Sequence, residues 1–319
     1  MSLVLVTGHN GVVGRHVTRA LLGSGHRVIG ASLQGDCASS PPAFIGRKLD
    51  ITDDSATRQL LSEHTVDAVV HLAALVHVRH EQLGFAAYNR VNHRASEQLF
   101  TQATRKGVRR FLFASTIEVY GPTTAGQSVA EDAPCSPESD YARTKLLAEE
   151  ALTRVAEETS SKYAIMRLAP AYSPDFRLNL EKRLFLRKSV GFFVGNGDYQ
   201  LALCHLENIA YFVTRWLGLE EPASGIFNLA DRRTYPIKEL LQRERLAGRC
   251  PVTLRLPYAA SFAAIGALQT ALSISGRQPG MICTENLRKL VRSATWDTRR
   301  ATLAVGPLPW LLNEGPNSN

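Results

Sequence analysis

Cysteine is scarce and scattered: 5 residues in 319, at positions 37, 135, 204, 250 and 283, with an odd count and no CxxC pair. This argues against a disulfide framework or a zinc ribbon and fits reduced thiols in a cytoplasmic protein. The histidines have no metal-ligand spacing, so no metal site is expected. No basic region followed by an apolar segment opens the chain, so no secretory signal is expected; Leu3–Val6 runs straight into a glycine turn. Low-complexity tracts are missing, and so are internal repeats. Acidic residues are outnumbered, 29 against 37 basic, for a net charge of +8. A basic surface favours phosphates and nucleotides. Nucleic-acid binding is not expected, because no such motif is present and the basic residues are interleaved with apolar ones.

One segment lacks charge altogether. Leu256 to Gly276 has none across 21 residues. Tyr258, Phe262, Ile265, Leu268 and Leu272 fall on one helical face, which reads as an amphipathic helix packed in a domain. A helix touching a membrane is the alternative. Stable membrane insertion is not expected, since Ser, Gln, Thr and Tyr interrupt the segment.

With 45% hydrophobic residues the chain can bury a full core. Strand-like runs at Leu3–Val6, Arg27–Ala31, Ala68–Leu72, Phe111–Ala114 and Tyr163–Arg167 alternate with helical stretches at Val13–Gly23, Ser55–Glu63, Val91–Lys106 and Asp140–Thr159. This rhythm predicts an α/β fold, a Rossmann-type doubly wound parallel sheet covered on both faces. It breaks after residue 168. A dinucleotide-binding domain is expected over residues 1–168, with a returning segment near 203–231 that includes the strand Ile226–Ala230. Residues 169–202 and 232–319 are expected to form a smaller, mostly helical substrate lobe with helices at Ile237–Gly248 and Asn286–Arg292.

Between the first strand and helix stands TGHNGVVG, residues 7–14. In a βα turn the first glycine permits the bend, the second admits a pyrophosphate, and the third lets helix and strand pack closely. The helix N-terminus then faces the phosphates. Farther on, Tyr141 and Lys145 form YxxxK, four apart and so on one helical face. A lysine ammonium beside a phenol favours the phenolate and lowers its pKa, which suits acid/base work on a hydroxyl or carbonyl. Upstream, Phe113 to Gly121 reads as a strand ending in hydroxyl residues.

Together TGHNGVVG, His71-Leu72-Ala73-Ala74, Val91-Asn92, STIEVYG (115–121) and YARTK (141–145) resemble the extended short-chain dehydrogenase/reductase family, the NAD(P)-dependent epimerases, dehydratases and reductases of nucleotide sugars. GIFNLAD (225–231) and the stretch 285–301 extend the resemblance over nearly the whole chain. It implies that Tyr141 is the catalytic acid/base and that Lys145 binds the nicotinamide ribose and tunes Tyr141. Thr116 is then the hydroxyl partner, with Ser115 the neighbouring alternative. Gly8, Asn10, Gly11, Val12, Val13 and Gly14 would line the pyrophosphate. Asp50 and Ile51 would contact adenine, unless Asp50 is only a turn residue. Leu72, Ala73 and Ala74 would lie under the cofactor, with Asn92 near, and Pro170 and Ala171 would border the nicotinamide.

Several positions depart from the family pattern. Ser32 occupies the place where NAD-preferring members carry an acid, and Asp36 is a weak substitute, so NAD(P) is expected with NADP slightly favoured. Ile117-Glu118 replaces the dehydratases' Asp-Glu, which disfavours 4,6-dehydration and leaves Glu118 a structural reading. Leu201 fills the slot of an arginine for the substrate diphosphate. Arg177, Lys182, Arg183, Arg187 and Lys188 could replace it or form a solvated face. His77, Arg183 and Arg187 are the substrate candidates. The resemblance implies epimerisation or 4-keto reduction at C4 of a nucleotide-activated sugar, by a homodimer. A hydroxysteroid- or sterol-dehydrogenase-like enzyme is the alternative, drawing on Leu201 and the apolar helix. A non-catalytic cofactor-sensing regulator is a third reading, which the intact YxxxK pair disfavours.

Overall fold

The computed structural model describes residues 1–35, 41–76, 84–123, 126–274, 284, 287, 291 and 294–312. Seven strands form the central sheet: β1 (Leu3–Thr7), β2 (Arg27–Ser32), β3 (Phe44–Lys48), β4 (Ala68–His71), β5 (Arg110–Thr116), β6 (Lys162–Leu168) and β7 (Gly225–Leu229). Their order is β7-β6-β5-β4-β1-β2-β3. Every pairing in this sheet is parallel. The order reverses between β1 and β4, and in open α/β sheets ligands bind outside the carboxyl ends of the strands at such a switch point.

Among the described residues five long helices cover the sheet, and the short helix Arg299–Val305 joins them on one face. The five are α1 (Val12–Gly23), α2 (Asp54–Glu63), α3 (α-helical Phe85–Tyr88, π-helical Asn89–Arg94 and α-helical Ala95–Arg105), α4 (Asp140–Glu158) and α5 (Leu206–Gly218). On one face Val17 and Leu21 of α1 pack with Ile209, Phe212, Val213 and Trp216 of α5. On the other, Leu60 and Leu61 of α2, Leu99, Phe100 and Ala103 of α3, and Ala148, Leu152 and Val155 of α4 do the same. The apolar strands are buried on both sides, as parallel strands between helix layers must be. Asp53 and Ser139 start α2 and α4 by accepting from Ala56 N and Ala142 N.

Strand β3 was not foreseen. It is an edge strand of only five residues after Pro41-Pro42, interrupted by Gly46 and only half buried, so its apolar signal is weak.

Beyond the central sheet, Phe185–Arg187, Val190–Val194 and Val252–Leu256 make a three-stranded sheet among the helices Leu178–Leu184, Ile237–Leu246 and Tyr258–Ile274. Their shared core holds Leu180, Leu184, Phe192, Leu240 and Leu241, with Phe262 and Ile265 packed against it. The lobe thus joins its helices through a sheet absent from the sequence reading. The single buried face expected for Tyr258–Leu272 is corrected: Tyr258 and Leu268 are exposed, because the helix is apolar all round and only one side meets the core. No helix among the described residues is long and apolar enough to cross a membrane. Most of the expected helix 286–292 lies outside the described residues, as do Asp36 and His77.

The β1–α1 turn is tight at two places. Gly8 sits at φ +72°, and its N–H donates to Ala31 O at 2.7 Å. A Cβ on Gly14 would stand 2.2 Å from Gly8 O and 2.7 Å from His9 Cα, both backbone atoms that cannot yield. Gly14→Ala is therefore expected to destabilise the fold by about 1–3 kcal/mol, the usual range for overpacking. Gly23→Ala, on the same helix with nothing within 4 Å of its Cβ, is expected to be neutral or to stabilise by up to about 1 kcal/mol. Urea unfolding of both variants checks this; equal effects would contradict it.

Candidate active site

Helix α1 opens toward the carboxyl edge of the sheet with Gly11 as N-cap. It has no side-chain cap and no acidic residue in its first turn. The first N–H groups of a helix lack intrahelical acceptors and carry partial positive charge, so this turn suits an anion. Val12 and Val13 follow Gly11 into that turn. Asn10 braces the turn against the end of β2: its Nδ2 donates to Ser32 Oγ at 2.8 Å and to Gly35 O at 3.0 Å. These groups fit a dinucleotide pyrophosphate. Asp50 is exposed, and its Oδ1 accepts from Thr52 N at 2.9 Å and Thr52 Oγ1 at 2.8 Å, so that oxygen stabilises a turn. Ile51 is buried beside it in the core.

Leu72, Ala73 and Ala74 leave the end of β4 half-buried. Asn92, in the π-helical stretch of α3, is fully buried and clamps this segment. Its Oδ1 accepts from Leu75 N at 2.7 Å and its Nδ2 donates to Leu75 O at 2.9 Å. Asn92 thereby fixes the floor of the site. Thr7, His71 and Ser96 continue the bracing, with Thr7 Oγ1 and His71 Nδ1 at 2.6 Å and His71 Nε2 and Ser96 Oγ at 2.8 Å. This buried chain was missed in the sequence. The only local hint was the histidine that precedes the two alanines.

Lys145 and Tyr141 stand on α4, which packs against β5 and the 3₁₀ turn Ile117–Tyr120 after it. Lys145 is 2% exposed, with its Nζ 4.0 Å from the centre of the Phe113 ring. Burial pushes its ammonium down to about 7, against the pull of Glu149 one helical turn on. Tyr141 lies edge-on to Tyr88 at 6.4 Å. Burial raises its phenol well above the ordinary value, and the charges of Glu118 and Tyr88 raise it further. The expectation of a lowered phenol is thus corrected: burial raises the phenol, and the charge of Glu118 adds to that rise.

Ser115 and Thr116 have separate fates. Ser115 Oγ donates to the buried carboxylate of Glu149, which Arg167 also holds through Nε and Nη2. Thr116 ends β5 at the edge, where its Oγ1 accepts from Glu118 N at 3.2 Å. That bond uses a lone pair and leaves the hydroxyl proton to donate elsewhere. Pro170 and Ala171 follow β6, and Ala171 pairs with Cys204.

The five basic residues of the lobe part company. Arg177 is taken up by Glu244, which Arg249 also holds. Lys182, Arg187 and Lys188 are exposed. Arg183 is half-buried, and its Nη1 donates to Asn179 O at 2.8 Å. Burial lowers its pKa while Glu118 raises it, and Glu118 also acts on Tyr141. Arg183 and Tyr141 thus share one charged neighbour, Glu118. Leu201 is buried in the lobe core.

His71 generates a pH dependence. Burial first, then the charge of Lys145, lowers it to about 3. The unfolded chain takes up that proton near pH 6.5 and the folded chain does not. Its contribution to stability is full above about 6.5 and is lost as pH falls toward 3, by up to about 1.4 kcal/mol per pH unit. Between pH 7 and 5.5 the native protein should lose about 1 kcal/mol more than His71→Gln in urea unfolding; equal losses would remove His71 from this role.

A model of the NAD dependent epimerase/dehydratase family matches residues 4–230. UDP-glucose 4-epimerase from Vibrio cholerae is 25% identical over 259 residues, covering 80% of this chain and 78% of its own. dTDP-glucose 4,6-dehydratase from Streptomyces griseus is 35% identical over a shorter span of 154 residues, 44% of this chain and 46% of its own. Among solved structures, MoeE5 in complex with UDP-glucuronic acid and NAD has a TM-score of 0.73 at 24% identity, over 98% of this chain and 96% of that one. UDP-glucuronic acid 4-epimerase from Bacillus cereus in complex with NAD has a TM-score of 0.72 at 20% identity, over 96% of this chain and 93% of that one. The structural likeness attests the fold, and the family match runs from β1 to the residue after β7; the chain belongs to the NAD-dependent epimerase/dehydratase family.

Proposed function

We propose that the protein moves a hydride to and from C4 of a nucleotide-activated sugar, as a 4-epimerase or 4-ketoreductase, with Tyr141 as acid/base. One observation supports this reading: α4, which bears Tyr141 and Lys145, packs against β5, and β5 ends in Thr116 at the carboxyl edge of the sheet that also presents the uncapped N-terminus of α1. The names of the relatives, UDP-glucose 4-epimerase and dTDP-glucose 4,6-dehydratase, support the substrate class.

Bound NAD(P) would accept and return the hydride. Tyr141 holds its proton at neutral pH and can give it to a carbonyl oxygen. Lys145 charged beside it makes the reverse step, removal of a proton from a hydroxyl, less costly. Thr116 directs its hydroxyl at the same oxygen, while Ser115 is held by Glu149. Ser32 at the end of β2 brings no carboxylate to repel a 2′-phosphate, so NADP is admitted along with NAD. The half-buried Arg183, rather than the exposed Arg187, is the cation we assign to the substrate diphosphate, since Leu201 offers it no charge.

With UDP-glucose or dTDP-glucose and NAD or NADP, sugar NMR should show the C4 epimer; with a 4-keto sugar nucleotide and NADH or NADPH it should show the alcohol, the cofactor being oxidised in step. Tyr141→Phe should lower kcat by ~10²–10⁴ and leave cofactor binding within a few-fold. Activity within threefold of the native protein would sink the assignment. For the diphosphate, Arg183→Ala should raise KM about tenfold with little change in kcat, as for a contact equal in ground and transition states. Arg187→Ala should change KM less, and the reverse order would move the subsite to the exposed strand Phe185–Arg187.

A further inference from the structure

Behind the edge that carries Thr116 lies a cluster of ions with no direct part in the chemistry above. Glu149 is 2% exposed and Arg167 3%. Arg167 Nη2 stands 2.7 Å from Glu149 Oε2, and its Nε lies 3.2 and 3.1 Å from the two carboxylate oxygens. The other side of the guanidinium is also engaged: Nη1 donates to Glu131 O at 3.2 Å, and its carbon stands 4.6 Å from the centre of the Tyr120 ring. Ser115 completes the hold on Glu149. Glu149 lies one helical turn beyond Lys145, so the two share a face of α4, and both are buried against β5.

We propose that Glu149 is a positioning residue that supplies the buried counter-charge for Lys145, with Arg167 and Ser115 setting how much of that charge Lys145 receives. An ammonium buried over a phenyl ring needs a nearby anion to stay charged. The groups that face Lys145 limit the alternatives. Tyr141, on the same helix, holds its proton. His71 from β4 is neutral, and its bonds go to Thr7 and Ser96. Phe113 of β5 offers a ring face. Arg167 from β6 is a second cation. Glu149 is the anion whose charge favours the protonated Lys145. Burial brings Lys145 near neutrality, and the hold of Arg167 on both oxygens of Glu149 limits how far Glu149 pulls it back toward the charged form. The catalytic consequence rests on the reading of Tyr141 and Lys145 given above; the charge balance itself does not.

The test is a titration of Lys145 by lysine ¹⁵Nζ NMR on the full chain without substrate, the signal assigned by its loss in Lys145→Met. Glu149→Gln should lower the midpoint by about one pH unit or more, a usual size for loss of an opposite charge at close range. Arg167→Gln, which leaves Glu149 to Lys145 alone, should raise it, and Glu149→Asp should restore most of the native value. A merely structural role predicts no such inversion of sign. If Glu149→Gln does not fold, Arg167→Gln and the charge-neutral double variant Glu149→Gln/Arg167→Gln decide: the first must shift upward and the second must lie below it. Shifts in the same direction, or none, would overturn the proposal. If the midpoints move as stated while no sugar nucleotide is turned over, the counter-charge stands and the proposed function falls. If activity is found, the pH profile of kcat should move with the midpoints.

Discussion

The Arg167–Glu149 ion pair joins three elements on which the site is built. Glu149 belongs to α4, Arg167 to β6 and Ser115 to β5, so one carboxylate fixes the helix bearing Tyr141 and Lys145 over the two strands whose carboxyl ends carry Thr116 and Pro170. Removing both charges from water is costly, and such a pair is no guarantee of stability by itself. What it provides is directional: the fork of the guanidinium and the two oxygens accept one geometry well and others poorly. A slip of α4 along β5 by one turn would leave two ions unpaired in an apolar layer.

Burial governs the chemistry of the site as much as shape does. The same burial lowers Lys145 to about 7, lowers His71 to about 3 and raises the Tyr141 phenol. In each case burial is the first cause, and neighbouring charges only adjust it. The polar groups under the site avoid the penalty of burial by bonding one another, as Asn92 does with Leu75 and His71 with Thr7 and Ser96. They also stiffen the segment from Leu72 to Leu75, which has no secondary structure of its own.

Much of this was legible in the residues. Alternating apolar strands and helices foretold a doubly wound parallel sheet, and six of its strands were located to within two residues at either end. TGHNGVVG foretold a tight βα turn, and YxxxK a shared helical face. What escaped was whatever depends on elements far apart in the chain. Strand β3 has its meaning only beside β2, because an edge strand needs little apolar signal of its own. The lobe sheet joins Val190–Val194 to Val252–Leu256 across a gap that no local period spans.

The sequence by itself determined the rhythm of the chain, the glycine turn and the four-residue spacing of Tyr141 and Lys145, because each is a property of a few neighbouring residues. Only the tertiary structure separated Ser115 from Thr116, since adjacent strand residues point to opposite sides and the side that holds Glu149 is decided by where α4 packs. Likewise it distinguished Arg183 from Arg177, two basic residues six apart that look alike in the sequence. One meets the buried Glu244 and the other the field of Glu118. It also reversed the expected shift of Tyr141, because desolvation depends on everything that surrounds a group and spacing along a helix reports only one neighbour.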